Sequence, residues 1–328
     1  MRAWWSEPDG PVVVRTSGST GEPKDVVLSH RALAASARAT LRRLGGPGQW
    51  LLALPVSGVA GLQVLVRSAA AGTTPVLADE HATFAAAVRA LSGERAYVSL
   101  VPTQLHRLAE RGELALLRRF DAVLVGGAAL PGSLRERCEQ AGTRLVHTYG
   151  MSETCGGCVY DGVPLDGVAA RVGTDGRISL AGPVLFDGYA GDQKRTGQVL
   201  AGDWFRTRDL GRFDDDGRLV VLGRADDVVL SGGVNVHLDA VTRALADLAG
   251  ITDASAVGVP DDEWGTRVVA CLVGEAAPSL AEVRDHVAAT LPREWAPRAV
   301  LLLDRLPELP GGKVDRLGLQ RLAATVGS

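Results

Sequence analysis

Thr16-Ser17-Gly18-Ser19-Thr20-Gly21-Glu22-Pro23-Lys24 follows the apolar run Val12-Val13-Val14, with only Arg15 between them. Hydroxyl side chains alternate with two glycines, and a lysine closes the stretch. Small residues let backbone N–H groups come close to anionic oxygens. The hydroxyls add further donors, and Lys24 adds a positive charge. A strand running into such a loop points to phosphate, with a flexible Gly/Ser surface loop as the plainer alternative. The stretch is not the common NTPase loop, which needs Gly-Lys-Ser/Thr in succession and then a helix. Here Pro23 precedes the lysine and Asp25 follows it.

Outward from this loop, apolar runs alternate with amphipathic ones. Ser29 can cap a helix carrying Leu33, Ala37, Leu41 and Leu44 on one face. Leu51–Leu54 reads as a second strand, stopped by Pro55. Val98–Val101 is a third, with Thr103 as cap of the helix after Pro102. Ala122–Val125 runs into Gly126-Gly127, and Leu145-Val146 leads to Thr148-Tyr149-Gly150. The alternation predicts an α/β fold with a mostly parallel sheet, whose ligands gather at the carboxyl ends of the strands. After about Leu180, turns at Asp187-Gly188 and Asp216-Gly217 predict a small antiparallel or barrel-like segment. Beyond Asp226 a compact α+β unit is expected: a helix bearing Leu238, Val241, Leu245 and Leu248, strands at Ala254–Val259 and Val268–Val273, a helix at Leu280–Leu291, and a strand at Ala299–Leu303. The boundary is placed at 223/224. Residues 1–223 are expected to form a large N-terminal α/β domain with a β-rich segment, and residues 224–328 a small α+β domain.

The 328 residues suit two domains, and a formal net charge of -3 with no basic stripe argues against a nucleic-acid partner. The start, Met1-Arg2-Ala3-Trp4-Trp5-Ser6-Glu7, does not read as a signal peptide, and the apolar runs are too short to span a bilayer. A cytoplasmic location is expected. Cys155-Gly156-Gly157-Cys158 has the spacing of half a zinc site or a redox pair, but no second pair stands at suitable spacing, so reduced thiols are the default.

Five stretches in order resemble the adenylate-forming family of acyl-CoA synthetases, luciferases and peptide-synthetase adenylation domains: the Thr16–Lys24 loop; Thr148-Tyr149-Gly150-Met151-Ser152-Glu153-Thr154; Thr207-Arg208-Asp209-Leu210-Gly211; Gly223-Arg224-Ala225-Asp226-Asp227; and Leu306-Pro307 followed by Gly312-Lys313-Val314-Asp315-Arg316. The resemblance implies an ATP- and Mg2+-dependent acid–CoA ligase. Thr16, Ser17, Gly18, Ser19, Thr20, Gly21 and Lys24 would hold phosphates, and Glu153 would hold Mg2+ against the triphosphate. Gly126, Gly127, Ala128 and Thr148 to Ser152 would line the adenylate, with Tyr149 stacked on adenine. Asp209 would accept the ribose hydroxyls, and Arg224 would pair with ribose or phosphate oxygens. Lys313 would bridge the attacking carboxylate and the α-phosphate. The C-terminal domain would then turn about a hinge at Asp226, bringing Gly232 and Gly233 to the CoA side. Lys24, Glu153 and Lys313 are the catalytic candidates.

Within the family the stretches Leu54-Pro55-Val56, Val59–Ser68, Ser99–Leu105 and Met151–Tyr160 most resemble o-succinylbenzoate–CoA ligases of menaquinone biosynthesis, in their short actinobacterial form. That acid has two carboxylates, and the one not activated needs a charged partner if it is buried. Arg67 is the candidate, with Gly127, Gly150 and Ser152 also facing the acyl group; a surface arginine at a helix end is the alternative for Arg67. The chain lacks the long stretch most members carry before the phosphate loop, as the short ligases do. Gly58 stands where many members have a histidine or aromatic residue, and Val234 replaces a common glutamate. Other readings are activation of a different aryl or acyl acid, with transfer to CoA or a carrier-protein thiol, and a non-catalytic nucleotide-binding homologue. A homodimer is compatible with each.

Overall fold

The structure, a computed structural model, describes residues 10–16, 23–128, 130–275, 277–309 and 313–326. Ser17, Gly18, Ser19, Thr20 and Gly21 of the candidate phosphate loop lie outside the described residues, as does the side chain of Lys313. Contacts divide the chain into two compact units. One comprises Met1–Leu130, Leu134–Thr207 and Phe213–Val220, the other Pro131–Ser133, Arg208–Arg212 and Val221–Ser328.

The first unit is built on a seven-stranded sheet. Five parallel strands run in the order Val76–Leu77, Gln49–Leu52, Ala96–Leu100, Ala122–Val125, Leu145–Met151, and the antiparallel strands Gly156–Tyr160 and Val163–Pro164 complete it. Alternate side chains serve two cores. Trp50, Tyr97, Leu124 and Val146 fall in one cluster, while Leu51, Val98, Val123 and Val125 fall in another with Leu105 and Leu117. A sheet buried on both faces reads as unbroken apolar runs, which is why these strands are visible in the sequence. The helices His30–Arg43 and Val59–Ala71 pack on each other and against this sheet. Ser29 caps the first as expected, its Oγ accepting from the Ala32 N–H at 3.2 Å. Thr103 does not cap the next helix. Pro102 itself takes the first helical position, Val101 is the N-cap, and the Gln104 side chain accepts from the Val101 N–H at 3.1 Å. Proline fits there because its missing N–H would have no partner in the helix.

The stretch after Pro23 is a strand. Lys24–Leu28 pairs antiparallel with Val12–Thr16, Thr16 lying opposite Lys24, and Gly188–Tyr189 pairs with its other edge. The candidate phosphate loop therefore joins two strands of a hairpin in a small separate sheet. The antiparallel segment expected after Leu180 begins earlier, at Ala169. Its strands run in the order Ala169–Val172, Arg177–Ala181, Trp204–Phe213, Leu200–Ala201, with Leu219–Arg224 also on Trp204–Phe213.

In the second unit Ile251–Asp261 and Gly265–Gly274 form a long antiparallel pair, and Ala299–Leu302 runs parallel to the latter. Helices Leu238–Ala246, Leu280–Ala288 and Arg316–Ala323 cover this sheet. Alternation again splits the core: Ala256, Val268, Ala270 and Leu272 pack with Val241 and Leu245, while Val257, Val259, Val269 and Cys271 pack with Leu319 and Ala323. A hairpin of Val228–Ser231 and Val234–His237 and a short pair of Glu308–Leu309 and Lys313–Val314 complete it. Among the described residues no helix is long and apolar enough to cross a membrane.

Leu105 is wholly buried in the core on its side of the first sheet. Leu105→Ala should destabilise the protein by about 2–5 kcal/mol, the range for a buried leucine whose cavity cannot collapse. Urea denaturation checks this; a cost well under about 1 kcal/mol would mean that this core is loosely packed.

Candidate functional site

In the first unit the hairpin strand Lys24–Leu28, the end of the Leu145–Met151 strand and the Gly188-Tyr189 strand bring the candidate residues together. Thr16 Oγ1 donates to the Lys24 carbonyl at 3.4 Å. Glu153 lies in the tight turn Ser152–Thr154, held because the Met151 N–H donates to Thr154 Oγ1 at 2.9 Å. The Phe186 N–H donates to the Glu153 carbonyl at 2.9 Å, and Tyr189 Oη donates to Glu153 Oε1 at 2.8 Å. Glu153 is buried, only 9% exposed. Lys24 Nζ lies 5.4 Å from the centre of the Tyr189 ring. Lysine and carboxylate are thus joined through one tyrosine, which no local motif in the sequence singles out.

Gly126, Gly127 and Ala128 follow the Ala122–Val125 strand, where Thr148 Oγ1 donates to the Val125 carbonyl at 3.2 Å. Gly150 has no room for a side chain, since a Cβ there would stand 2.2 Å from the Gly156 carbonyl oxygen. Tyr149 and Met151 are half-buried and Ser152 is buried. These positions stand at the carboxyl ends of adjacent strands, where a parallel sheet offers its crevice.

Arg67 is in the last turns of the Val59–Ala71 helix and is only 3% exposed. It is not a surface arginine. Its guanidinium lies 5.0 Å from the Trp50 ring centre, donates to Ser99 Oγ at 3.5 Å and to Tyr160 Oη at 3.4 Å, and leaves Nε without an acceptor. Tyr160 Oη in turn shares a 2.9 Å hydrogen bond with Thr40. Burial depresses the arginine pKa, and among the described residues no carboxylate pairs with it. Ser99 and Tyr160 escaped the sequence reading because nothing local links them to Arg67.

The second unit holds the other candidates. Arg224 Nη1 lies 3.6 Å from Asp209 Oδ1, and the same guanidinium grips Asp226 with two bonds of 3.1 and 3.2 Å. Arg208 adds a 3.3 Å bond to Asp226. Burial works against the Arg224 charge, but Asp226, Asp209 and Asp227 outweigh it and hold its pKa above the ordinary value. Arg316 pairs with both Asp227 and Asp239, and the Arg224 N–H donates to Asp239 Oδ2 at 3.2 Å. Burial raises the Asp227 pKa, with Arg316 opposing. Gly232 takes φ +56°, and a Cβ there would strike the Trp264 ring at 2.6 Å; Gly233 beside it is open. The backbone of Lys313 pairs with Leu309, and Asp315 caps the helix that follows.

Cys155 and Cys158 are buried free thiols, as are Cys138 and Cys271. Burial pushes Cys158 and Cys271 up to about 12 and Cys155 higher still. Among the described residues no group of three or more histidine, cysteine, aspartate or glutamate side chains is placed to hold a metal ion.

Comparison with known proteins adds the family. The model of the AMP-binding enzymes matches residues 4–196, and that of the AMP-binding enzyme C-terminal domain matches residues 241–313. A probable 2-succinylbenzoate–CoA ligase of Mycobacterium tuberculosis is 45% identical over 324 residues, covering 95% of this chain and 84% of that protein. The o-succinylbenzoate CoA synthetase of Bacillus subtilis, solved with the acyl-adenylate intermediate, superposes with a TM-score of 0.79 at 27% identity, over 94% of this chain and 68% of that one. That synthetase has also been solved with ATP and a magnesium ion, where the TM-score is 0.80 at 28% identity, over 94% and 69% of the two chains. The amide bond synthetase McbA of Marinactinospora thermotolerans reaches a TM-score of 0.84 at 29% identity, over 97% of this chain and 69% of that one. With its large AMP-binding part and small C-terminal part both matched, this chain belongs to the AMP-binding enzyme family.

Proposed function

We propose that the chain is an AMP-forming acid–CoA ligase that converts o-succinylbenzoate to its CoA thioester, a step of menaquinone biosynthesis. The 45% identity to the mycobacterial ligase, over 95% of the chain, supports the reaction. The observation that carries the choice of acid is Arg67. A guanidinium buried without a carboxylate is costly, and a donor left without an acceptor adds to that cost. An acid with a second carboxylate would supply the missing partner, with Ser99 Oγ and Tyr160 Oη beside it. An acid with a single carboxylate would leave the arginine as it is.

In the first half-reaction a carboxylate oxygen of the acid attacks the α-phosphorus of ATP, and pyrophosphate leaves. Lys24 and the Thr16–Gly21 loop hold the phosphates, and Asp209 and Arg224 hold the ribose. Lys313 meets the charge that develops between the carboxylate and the α-phosphate. Glu153 is the residue for Mg2+. Its one buried carboxylate, with acceptor capacity beyond the Tyr189 bond, fits an ion that takes most of its ligands from the triphosphate and water. When bound, the ion supplies positive charge against the triphosphate. In the second half-reaction the thiolate of CoA attacks the acyl carbonyl and AMP leaves. Residues 224–328 are assigned to turning about Asp226 between the two steps, with Gly232 and Gly233 on the CoA side. Four reduced, buried cysteines suit a cytoplasmic location. A homodimer is compatible with this reading.

Pyrophosphate release with a panel of acids tests the assignment, and o-succinylbenzoate should give the highest kcat/KM. A preference for an acid with one carboxylate would overturn it. Arg67→Ala should lower kcat/KM for o-succinylbenzoate by the equivalent of about 3–5 kcal/mol, because the ligand carboxylate is left buried and unpaired. The loss should be far smaller for an analogue lacking that carboxylate, and Arg67→Lys should recover only part of it. Equal losses for both acids would mean that Arg67 serves folding alone. Lys313→Ala should slow adenylation by about 10²–10³-fold while acyl transfer from supplied acyl-adenylate to CoA persists. Single-turnover measurement of each half-reaction separates the two.

A further inference from the structure

We infer that Tyr189 is a positioning residue for the first half-reaction: its hydroxyl orients the Glu153 carboxylate, and its ring gives the phosphate-loop lysine a fixed station. The inference rests on the proposed metal role of Glu153. The contacts come from three elements. Tyr189 Oη donates to Glu153 Oε1 at 2.8 Å, and the tyrosine is only 7% exposed. Lys24 Nζ and the Arg195 guanidinium lie 5.4 and 5.6 Å from the centre of its ring, within the range of a cation–π attraction.

The tyrosine is itself held on every side. Its backbone sits opposite Val26, two residues along the strand from Lys24, so Lys24 and Val26 share a face. Thr196 Oγ1 accepts from its N–H at 2.9 Å, and the Ala190 N–H donates to the Asp25 carbonyl at 2.8 Å. Phe186 packs edge-on to the ring at 5.1 Å. A side chain locked this way can fix a neighbour's orientation. An ionised carboxylate has about four acceptor sites, and one phenol hydrogen uses one of them. The hydroxyl therefore fixes the carboxylate plane and leaves acceptor capacity for a cation. One side chain so sets the distance between the acid that would carry the metal and the lysine that would meet the phosphates.

A purely structural tyrosine would make the same packing contacts, so the test must read the hydroxyl and not the ring. Tyr189→Phe keeps the ring. The enzyme-bound Mn2+–ATP complex, followed by electron paramagnetic resonance with no acid present, should form about three- to tenfold more weakly in Tyr189→Phe than in wild type, the scale of one lost hydrogen bond. In a Glu153→Ala background the same change should add nothing, since the acceptor of its hydrogen bond is already gone. Tyr189→Leu removes the ring as well and should also weaken ATP binding measured without metal. Circular dichroism melts keep the comparison to variants that fold. Wild-type affinity for Mn2+–ATP in Tyr189→Phe, or an undiminished effect of that change in the Glu153→Ala background, would overturn the inference. Because no acid is present, an error in the choice of acid would leave these results unmoved and would appear only in the pyrophosphate panel.

Discussion

The backbone pairing of Gly188-Tyr189 with Val26-Val27 is the constraint on which the candidate site of the first unit depends. It occupies the free edge of the Lys24–Leu28 strand and delivers a tyrosine from far along the chain to Glu153, the proposed metal residue. The same junction carries its own core, in which Val14, Val26, Leu28 and Leu33 pack with Phe186, Tyr189 and Phe205. Apolar burial and strand pairing here act together, so the orientation of polar groups follows from packing that is not itself polar.

The second unit solves a different electrostatic problem. Its acids and arginines alternate in space: Asp209, Arg224, Asp226 and Arg208 form one run, and Asp227, Arg316 and Asp239 another, bridged by the Arg224 backbone. Asp226, the proposed hinge, is held by two guanidinium groups, so a turn about it would have to break these charged bonds. Exposed pairs of this sort are worth little each, but a half-buried network with bidentate geometry is a more specific latch.

Much of this was legible in the sequence. The sheet strands are visible as apolar runs, and Ser29 as a cap. What stayed hidden depends on long-range contact. Tyr189 meets Glu153 across 36 residues, and Arg67 meets Ser99 and Tyr160 across 32 and 93. The Arg67 question stayed open because the Val59–Ala71 helix is apolar nearly all round, and periodicity then does not say which end is covered. Thr103 has the residue type of a cap, but Pro102 before it already occupies the first helical position. The strand Lys24–Leu28 was missed beside a loop rich in breakers, since its own run of Val26-Val27-Leu28 is short.

The four buried thiols have a practical side. Their sulfurs are covered and kept protonated, so thiolate-seeking dyes will find little to react with in the folded protein. A pair of cysteines introduced on the surface of the two units would then carry fluorophores without the native ones first being removed. The proposed turning of the small unit can accordingly be tested by energy transfer without first removing a native cysteine.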